Sequence, residues 1–402
     1  MKIKTFAISF ALAGLLLVDS PAPLARENVL QERLDSVIDS AIAEKRIVGA
    51  VVLVARDGKV IYHRAAGLAD READTPMADD TIFNYSSLTK PIVTAAAMKL
   101  IEQGRIGLDD PVTKWLPDFR PKLVDGSAAT ITVRQLLTHT AGLSYRFMEA
   151  AGSDYDLLNV SDGLDQPGLT RTEFLRHLGA AQLRYPPGHS WKCSLSIDVL
   201  GMAMERATGE SLPQLVERLV TGPLGMRDTA FRIADRNRAS AYYVDHKPQS
   251  TRMADATMVP LQPGVLRLAP NRLDDPNSYP SGGCGMAGTA GDFLKFLEVI
   301  RTGGTPILEP HTVAEMMRAQ VAAPIDEPGF GFGFGWAVLV DPMAAKTPQS
   351  RGTIKWAGLY GHSWFVDPVL KLSVVAFTNT TLEGVFGGFR SSVRDAVYAA
   401  AE

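Results

Sequence analysis

Two β-rich stretches at opposite ends of the chain, with a long helical stretch between them, limit the folds this sequence can reach. Near the start, Ala50–Ala55 and Val60–Ala65 are joined by Arg56-Asp57-Gly58-Lys59, which predicts a hairpin. Near the end, residues 333–340, 353–357, 362–367 and 371–378 read as strands, followed by a last helix around 385–400. Between them the pattern is helical, with helices predicted at 88–103, 132–138, 196–208, 211–220 and 290–302, separated by loops bearing Pro and Gly. Residues 29–45 form an amphipathic helix, with Leu30, Leu34, Val37, Ile38 and Ala41 on one stripe. Strands at both ends pair most simply into one sheet made by the two termini, with a helical region inserted. The expected fold is therefore α/β, with a sheet region at about 27–80 and 320–402 and a helical region at about 81–319.

Composition narrows the function classes. The 402 residues carry 41 Lys+Arg against 44 Asp+Glu, a balance that supplies no electrostatic footprint for nucleic acid. Cys193 and Cys284 are too few for a structural zinc site, and no pair of the seven histidines has metal-ligand spacing. No metal or organic cofactor is implied. At the N-terminus Lys2 and Lys4 precede the apolar run Phe6 to Val18, then Ser20-Pro21-Ala22. This is the pattern of a secretory signal peptide, residues 1–22, with cleavage near Ala22 or Ala25 and a periplasmic or secreted product. The run falls short of the roughly 20 residues a membrane anchor needs.

The most apolar helix opens with Phe83-Asn84-Tyr85-Ser86-Ser87-Leu88-Thr89-Lys90. Ser87 and Lys90 are three apart, so on a helix their side chains meet. At the helix start, free backbone N–H groups and the positive dipole end favour a developing oxyanion. A lysine turned inward there loses its hydration shell, which disfavours the ammonium form and leaves an amine able to take the serine proton. Alone, Ser-x-x-Lys recurs by chance, and an N-cap serine beside a solvated lysine explains it equally well. Here Ile92, Val93, Ala95, Ala96, Ala97 and Met98 follow and leave almost no polar face.

Context decides. Leu136-Leu137-Thr138-His139-Thr140-Ala141-Gly142-Leu143, Pro187-Gly188-His189-Ser190-Trp191, Pro223-Leu224-Gly225-Met226-Arg227-Asp228-Thr229, Ser281-Gly282-Gly283-Cys284-Gly285-Met286 and Thr378-Asn379 follow in order. With the Ser87 segment, they resemble the serine β-lactamase and penicillin-binding superfamily from about residue 30 to the C-terminus. More narrowly the chain resembles class C β-lactamase-like serine hydrolases, including the family VIII carboxylesterases.

The resemblance implies Ser87 as the acylated serine and Lys90 as its partner. It implies the N–H groups of Ser87 and Leu359 as the oxyanion hole. Tyr85, Leu195, Trp356 and Gly358 fall on substrate-contacting positions. Trp356-Ala357-Gly358 replaces a Lys/His-Thr-Gly triplet, and Leu195 stands where amide-cleaving relatives often carry Asn. The first change loses the cation that would hold a substrate carboxylate, and the second loses the amide that would hold a β-lactam or peptide side chain, so both are compatible with ester hydrolysis.

The family tyrosine, which moves protons between serine and leaving group, is replaced by Cys193. The sulfur reaches roughly 4 Å less far than a tyrosine hydroxyl. Four readings stay open: Lys90 acts alone with a water in the gap; Cys193 acts as base through that water, a thiolate beside Lys90 being conceivable; Tyr85, Tyr360 or His362 reaches in; or the site is crippled. A Cys193–Cys284 disulfide is a further expectation, since the family places both segments near the cleft. His139 and His362 read as structural, and the aromatic and Met residues of 145–170 and 253–280 as loops that could wall a pocket. The expected activity is carboxylic ester hydrolysis. Its rivals are a β-lactamase or D-peptide hydrolase, and a binding or sensor protein that lost its chemistry.

Overall fold

The computed structural model describes residues 23–322 and 325–400; the 1–22 leader expectation lies outside the described residues. The two terminal stretches do pair. Strands β1 (Gly49–Arg56), β2 (Lys59–Asp70) and β3 (Thr75–Pro76) join five late strands in one eight-stranded antiparallel sheet. After a helical-region hairpin of β4 (Thr257–Leu261) and β5 (Gly264–Leu268), those late strands are β6 (Phe330–Phe332), β7 (Ala337–Leu339), β8 (Ile354–Gly358), β9 (His362–Asp367) and β10 (Leu372–Thr378). The order is β6-β7-β8-β9-β10-β1-β2-β3, so β10 from the C-terminal part docks on β1 from the N-terminal part.

The central strands β1 and β10 are buried on both faces, which is why they read as continuous hydrophobic runs. On the outer face lie α1 (Pro23–Ala43) and, further along, a C-terminal helix; Leu34, Ile38, Val52, Val54, Val374 and Val397 meet there. On the inner face Val51, Leu53, Trp364, Val375 and Phe377 join the main core. That core holds α2 (Thr89–Glu102), α3 (Ser196–Thr208) and α4 (Ala290–Arg301); the C-terminal helix, α5, runs Gly388–Ala399.

Helix α2 is wrapped on every side: Ile92, Val93, Ala95, Ala96 and Ala97 are all fully buried. Truncating Ile92 to Ala there removes packing worth about 2–5 kcal/mol. Pro91 falls in the first turn, where its missing N–H costs no helical hydrogen bond. Segment 253–280, expected as loops, instead holds the β4–β5 hairpin, with Leu261 opposite Gly264. Pro260 inside β4 masks the strand pattern in the sequence.

Candidate active site

Ser87 is the middle residue of a short 3-10 turn, Ser86–Leu88, that runs directly into α2. The turn is sharp because Ser86, fully buried, sits at φ +48°, a left-handed conformation unusual for a residue with a side chain. Its N–H donates to Asn84 Oδ1 at 3.0 Å, which helps hold the bend. The bend aims Ser87 at a cavity of about 550 Å³. Lys90, one turn further on, is 1% exposed, and its Nζ donates to Ser87 Oγ at 2.8 Å and to the Gly283 carbonyl at 3.1 Å. No carboxylate pairs with this amine among the described residues; its other neighbours are the Tyr145 ring, 5.3 Å to the centroid, and Cys284 Sγ at 3.9 Å.

Opposite the serine runs β8. A Cβ on Gly358 would meet the Tyr85 carbonyl at 2.5 Å and Leu88 Cδ1 at 2.8 Å, so only glycine lets this strand press against the nucleophile turn. Gly358 thus acts through close approach and does not line the cavity, a correction to its expected substrate contact. The next residue, Leu359, does line it beside Ser87. Neither the Ser87 nor the Leu359 N–H donates to another backbone or side-chain group among the described residues. Two free donors at one cavity wall are what an oxyanion hole requires. Trp356 lines the cavity and meets Phe332 edge-on at 5.4 Å.

Two expected substrate contacts are corrected. Tyr85 is fully buried, and its hydroxyl donates to the Thr289 carbonyl at 2.6 Å, because the reversal at Ser86 turns its neighbour inward. Leu195 is likewise in the core, at the start of α3. Of the three residues expected to reach in, none lines the cavity. Tyr360 packs edge-on against Tyr242 at 4.8 Å, and His362 Nε2 is 2.9 Å from the Asn84 carbonyl, the satisfied role expected for it.

Cys193 borders the cavity with Ser87 and Trp191. The loop that carries it is tied down by His139, whose Nδ1 accepts the Ser194 N–H at 3.2 Å. Burial pushes the Cys193 thiol up to about 11, against the opposing pull of Lys90. The thiolate considered above is therefore the minor form at neutral pH, and the base reading for Cys193 loses its main support. The expected disulfide is absent too: Cys193 and Cys284 are both free thiols.

Sequence reasoning missed Tyr145, and it put Cys284 near the cleft without its contact to Ser87. Tyr145 lines the cavity, stacks on Phe147 at 5.0 Å, and carries a buried hydroxyl with no hydrogen-bond partner among the described residues. Its loop hangs on Asp162, which accepts the N–H of Arg146 at 2.6 Å and of Phe147 at 3.3 Å. The sequence signal was only that 145–170 could wall a pocket. Cys284 Sγ lies 3.8 Å from Ser87 Oγ, on a turn fixed by Ser281, whose hydroxyl donates to Asp198 at 2.5 Å.

Comparison with known proteins assigns the chain to a family. The beta-lactamase family model matches residues 34–397. The chain belongs to the beta-lactamase family. Within that family it is 50% identical to Esterase EstB of Burkholderia gladioli over 376 residues, which covers 92% of this chain and 95% of that protein. It is 26% identical to Lovastatin esterase of Penicillium rubens, over 83% and 89% of the two chains. Among solved structures of the family, EstCE1, described as a hydrolase with promiscuous acyltransferase activity, superposes with a TM-score of 0.91. That match has 46% identity and covers 93% of this chain and all of that one.

Proposed function

We propose that this chain cleaves carboxylic esters through an acyl-Ser87 intermediate, with Lys90 as general base. The chain is an ester hydrolase of the carboxylesterase type, as its likeness to Esterase EstB and EstCE1 supports. The observation that carries the residue assignment is the 2.8 Å contact between Lys90 Nζ and Ser87 Oγ inside a cavity wall that excludes water from the amine.

Ser87 Oγ forms a bond to the ester carbonyl carbon as its proton passes to Lys90 Nζ. The carbonyl oxygen takes up negative charge and is received by the N–H groups of Ser87 and Leu359. The C–O bond to the alcohol breaks, and the alcohol leaves with the proton from Lys90. Water then attacks the acyl carbon, giving its proton to Lys90, which returns it to Ser87 as the acid departs. Gly283 holds Lys90 aligned through both halves by accepting a second hydrogen bond.

The replacement of the family tyrosine by Cys193 leaves this cycle without a hydroxyl relay at that position, and a water between Cys193 and the leaving group fills it. A largely apolar wall of Tyr145, Phe147, Met148, Trp191 and Trp356 favours uncharged acyl groups. The Lys2/Lys4 leader favours export, with the product periplasmic or secreted.

The deciding experiment is intact-mass detection of a covalent adduct with a fluorophosphonate and with p-nitrophenyl esters of graded length, on wild type and Ser87→Ala. The expected result is one adduct on Ser87 and none on the variant. No adduct would identify a non-catalytic relative, and faster turnover of a chromogenic cephalosporin than of p-nitrophenyl butyrate would identify a β-lactamase.

A further inference from the structure

The cavity does not end at Ser87. Strand β7 stops pairing with β8 at Lys355, so Trp356, Ala357 and Gly358 have a free edge on that side. The cavity passes this edge and continues along the outer face of the sheet, over a floor of Phe365, Val374 and Ala376 and under Val393 of α5. Side chains of a strand alternate between faces, so Trp356 turns to Ser87 while Lys355, opposite Phe365 in the register, turns to this second lobe.

Lys355, Arg390 and Arg394 line that lobe. Their carboxylate partners are few. Glu327 is shared between Lys355 Nζ at 2.5 Å and Arg390 at 3.5 Å, and Asp395 serves Arg394. The Lys355 side chain is only 14% exposed and lies over the Phe330 ring at 3.8 Å. Long basic side chains often cover apolar surface with their stems while the charge stays in water. Lys355 does not follow that pattern, because its amine is itself withdrawn from solvent. Asp326 lines the same cavity without an ion pair to any of the three cations among the described residues, so Lys355 and Arg390, which share the one carboxylate of Glu327, keep a positive charge in excess beside an apolar floor.

We propose that this outer lobe is a second binding site, for the carboxylate of a straight alkyl acid, with the alkyl chain on Phe365, Val374 and Ala376 and the head group between Lys355 and Arg390. A ligand held there lies across β8 from Ser87 and does not occupy the acyl-accepting wall. Each methylene buried on that floor is expected to raise affinity roughly fourfold, so binding strengthens with chain length.

A proton signature follows from the same geometry. Burial first, and then Arg390 and Arg394, hold the Lys355 amine down to about 8, with Glu327 opposing them. An incoming carboxylate adds a second anion beside it and favours the ammonium form, so binding above pH 8 takes up a proton.

The test is titration calorimetry of octanoate into Ser87→Ala protein at pH 9 in two buffers of different ionisation enthalpy. Because that protein turns nothing over, the result stands apart from the ester-hydrolase reading. The expected outcome is one octanoate per chain, with proton uptake, and at least tenfold weaker binding when Lys355→Gln or Arg390→Gln is added. Octanol is expected to bind at least tenfold more weakly than octanoate. Arg394→Gln, which removes the lobe's third cation, is expected to weaken binding by less than either of those two, and circular dichroism checks that each variant is folded. No binding at millimolar octanoate, equal binding of octanol, or undiminished binding in the folded variants would each overturn the proposal.

Discussion

Cys284 Sγ sits 3.8 Å from the Ser87 hydroxyl and 3.9 Å from the Lys90 amine, so a thiol stands within van der Waals reach of both members of the reacting pair. Burial raises the thiol above its ordinary range, ahead of the lowering pull of Lys90. It is therefore a space-filling neighbour at neutral pH and a poor nucleophile. Cys284→Ala is expected to hold ester turnover within about fivefold of wild type, whereas Ser87→Ala abolishes it. A steady-state comparison with p-nitrophenyl butyrate checks this, and a Cys284 variant as inactive as Ser87→Ala would contradict it.

Lys90 offers the sharper mutational contrast. Lys90→Arg places a permanent cation there that cannot accept the serine proton, and Lys90→Met removes the nitrogen altogether. Both are expected to lower kcat by about 10³-fold or more, within the span that a lost base or activated nucleophile spans. If Lys90 served only to position Ser87 by its positive charge, Lys90→Arg would retain most of the activity.

At Cys193 the burial of the thiol bears on the readings that the sequence left open. A thiol pushed up to about 11 is almost wholly protonated at pH 7 and is a poor base there, so Cys193→Ala is expected to change kcat by less than about threefold. Cys193→Tyr restores a hydroxyl at the relay position and is expected to raise kcat at least tenfold. A pH–rate profile completes the test: an alkaline limb near the thiol's range that vanishes in Cys193→Ala would restore Cys193 as base.

How far the sequence could be read depends on the kind of contact. Helix α3 runs Ser196–Thr208 as its periodicity predicts, because one stripe of that helix meets the core and the period is set locally. The Ser87–Lys90 pairing was legible for the same reason. Tyr85 was misread because the left-handed turn at Ser86, which decides where its neighbours point, leaves no mark in residue type. Tyr145 was missed because its place beside Lys90 depends on Asp162 holding a loop whose path is set by tertiary contacts alone. The second lobe beneath α5 was equally hidden, since it requires β7 to stop short of Trp356.

The same long-range packing makes a prediction about acid stability. His362 on β9 is fully buried; its Nε2–H donates to the Asn84 carbonyl at 2.9 Å, and its Nδ1 has no partner among the described residues. Phe83 and Phe377 pack around the ring, at 5.4 and 4.5 Å between centroids. Burial pushes the imidazole down to about 4, while unfolded histidine titrates near 6.5. The fold thus selects the neutral ring. The associated stability is fully present above pH 6.5 and is lost as pH falls from there towards 4, where the unfolded chain binds the proton that the native chain refuses. The gap corresponds to about 3 kcal/mol from this residue. His139, also buried and held below its usual range by burial and then by Lys90, adds a loss in the same direction. Urea unfolding at pH 7 and pH 4 measures the sum, and the same pair of measurements on His362→Gln isolates one term. The variant is expected to be less stable at pH 7 and to lose about 3 kcal/mol less on acidification. Equal losses in the two proteins would mean that the buried ring does not carry the acid sensitivity.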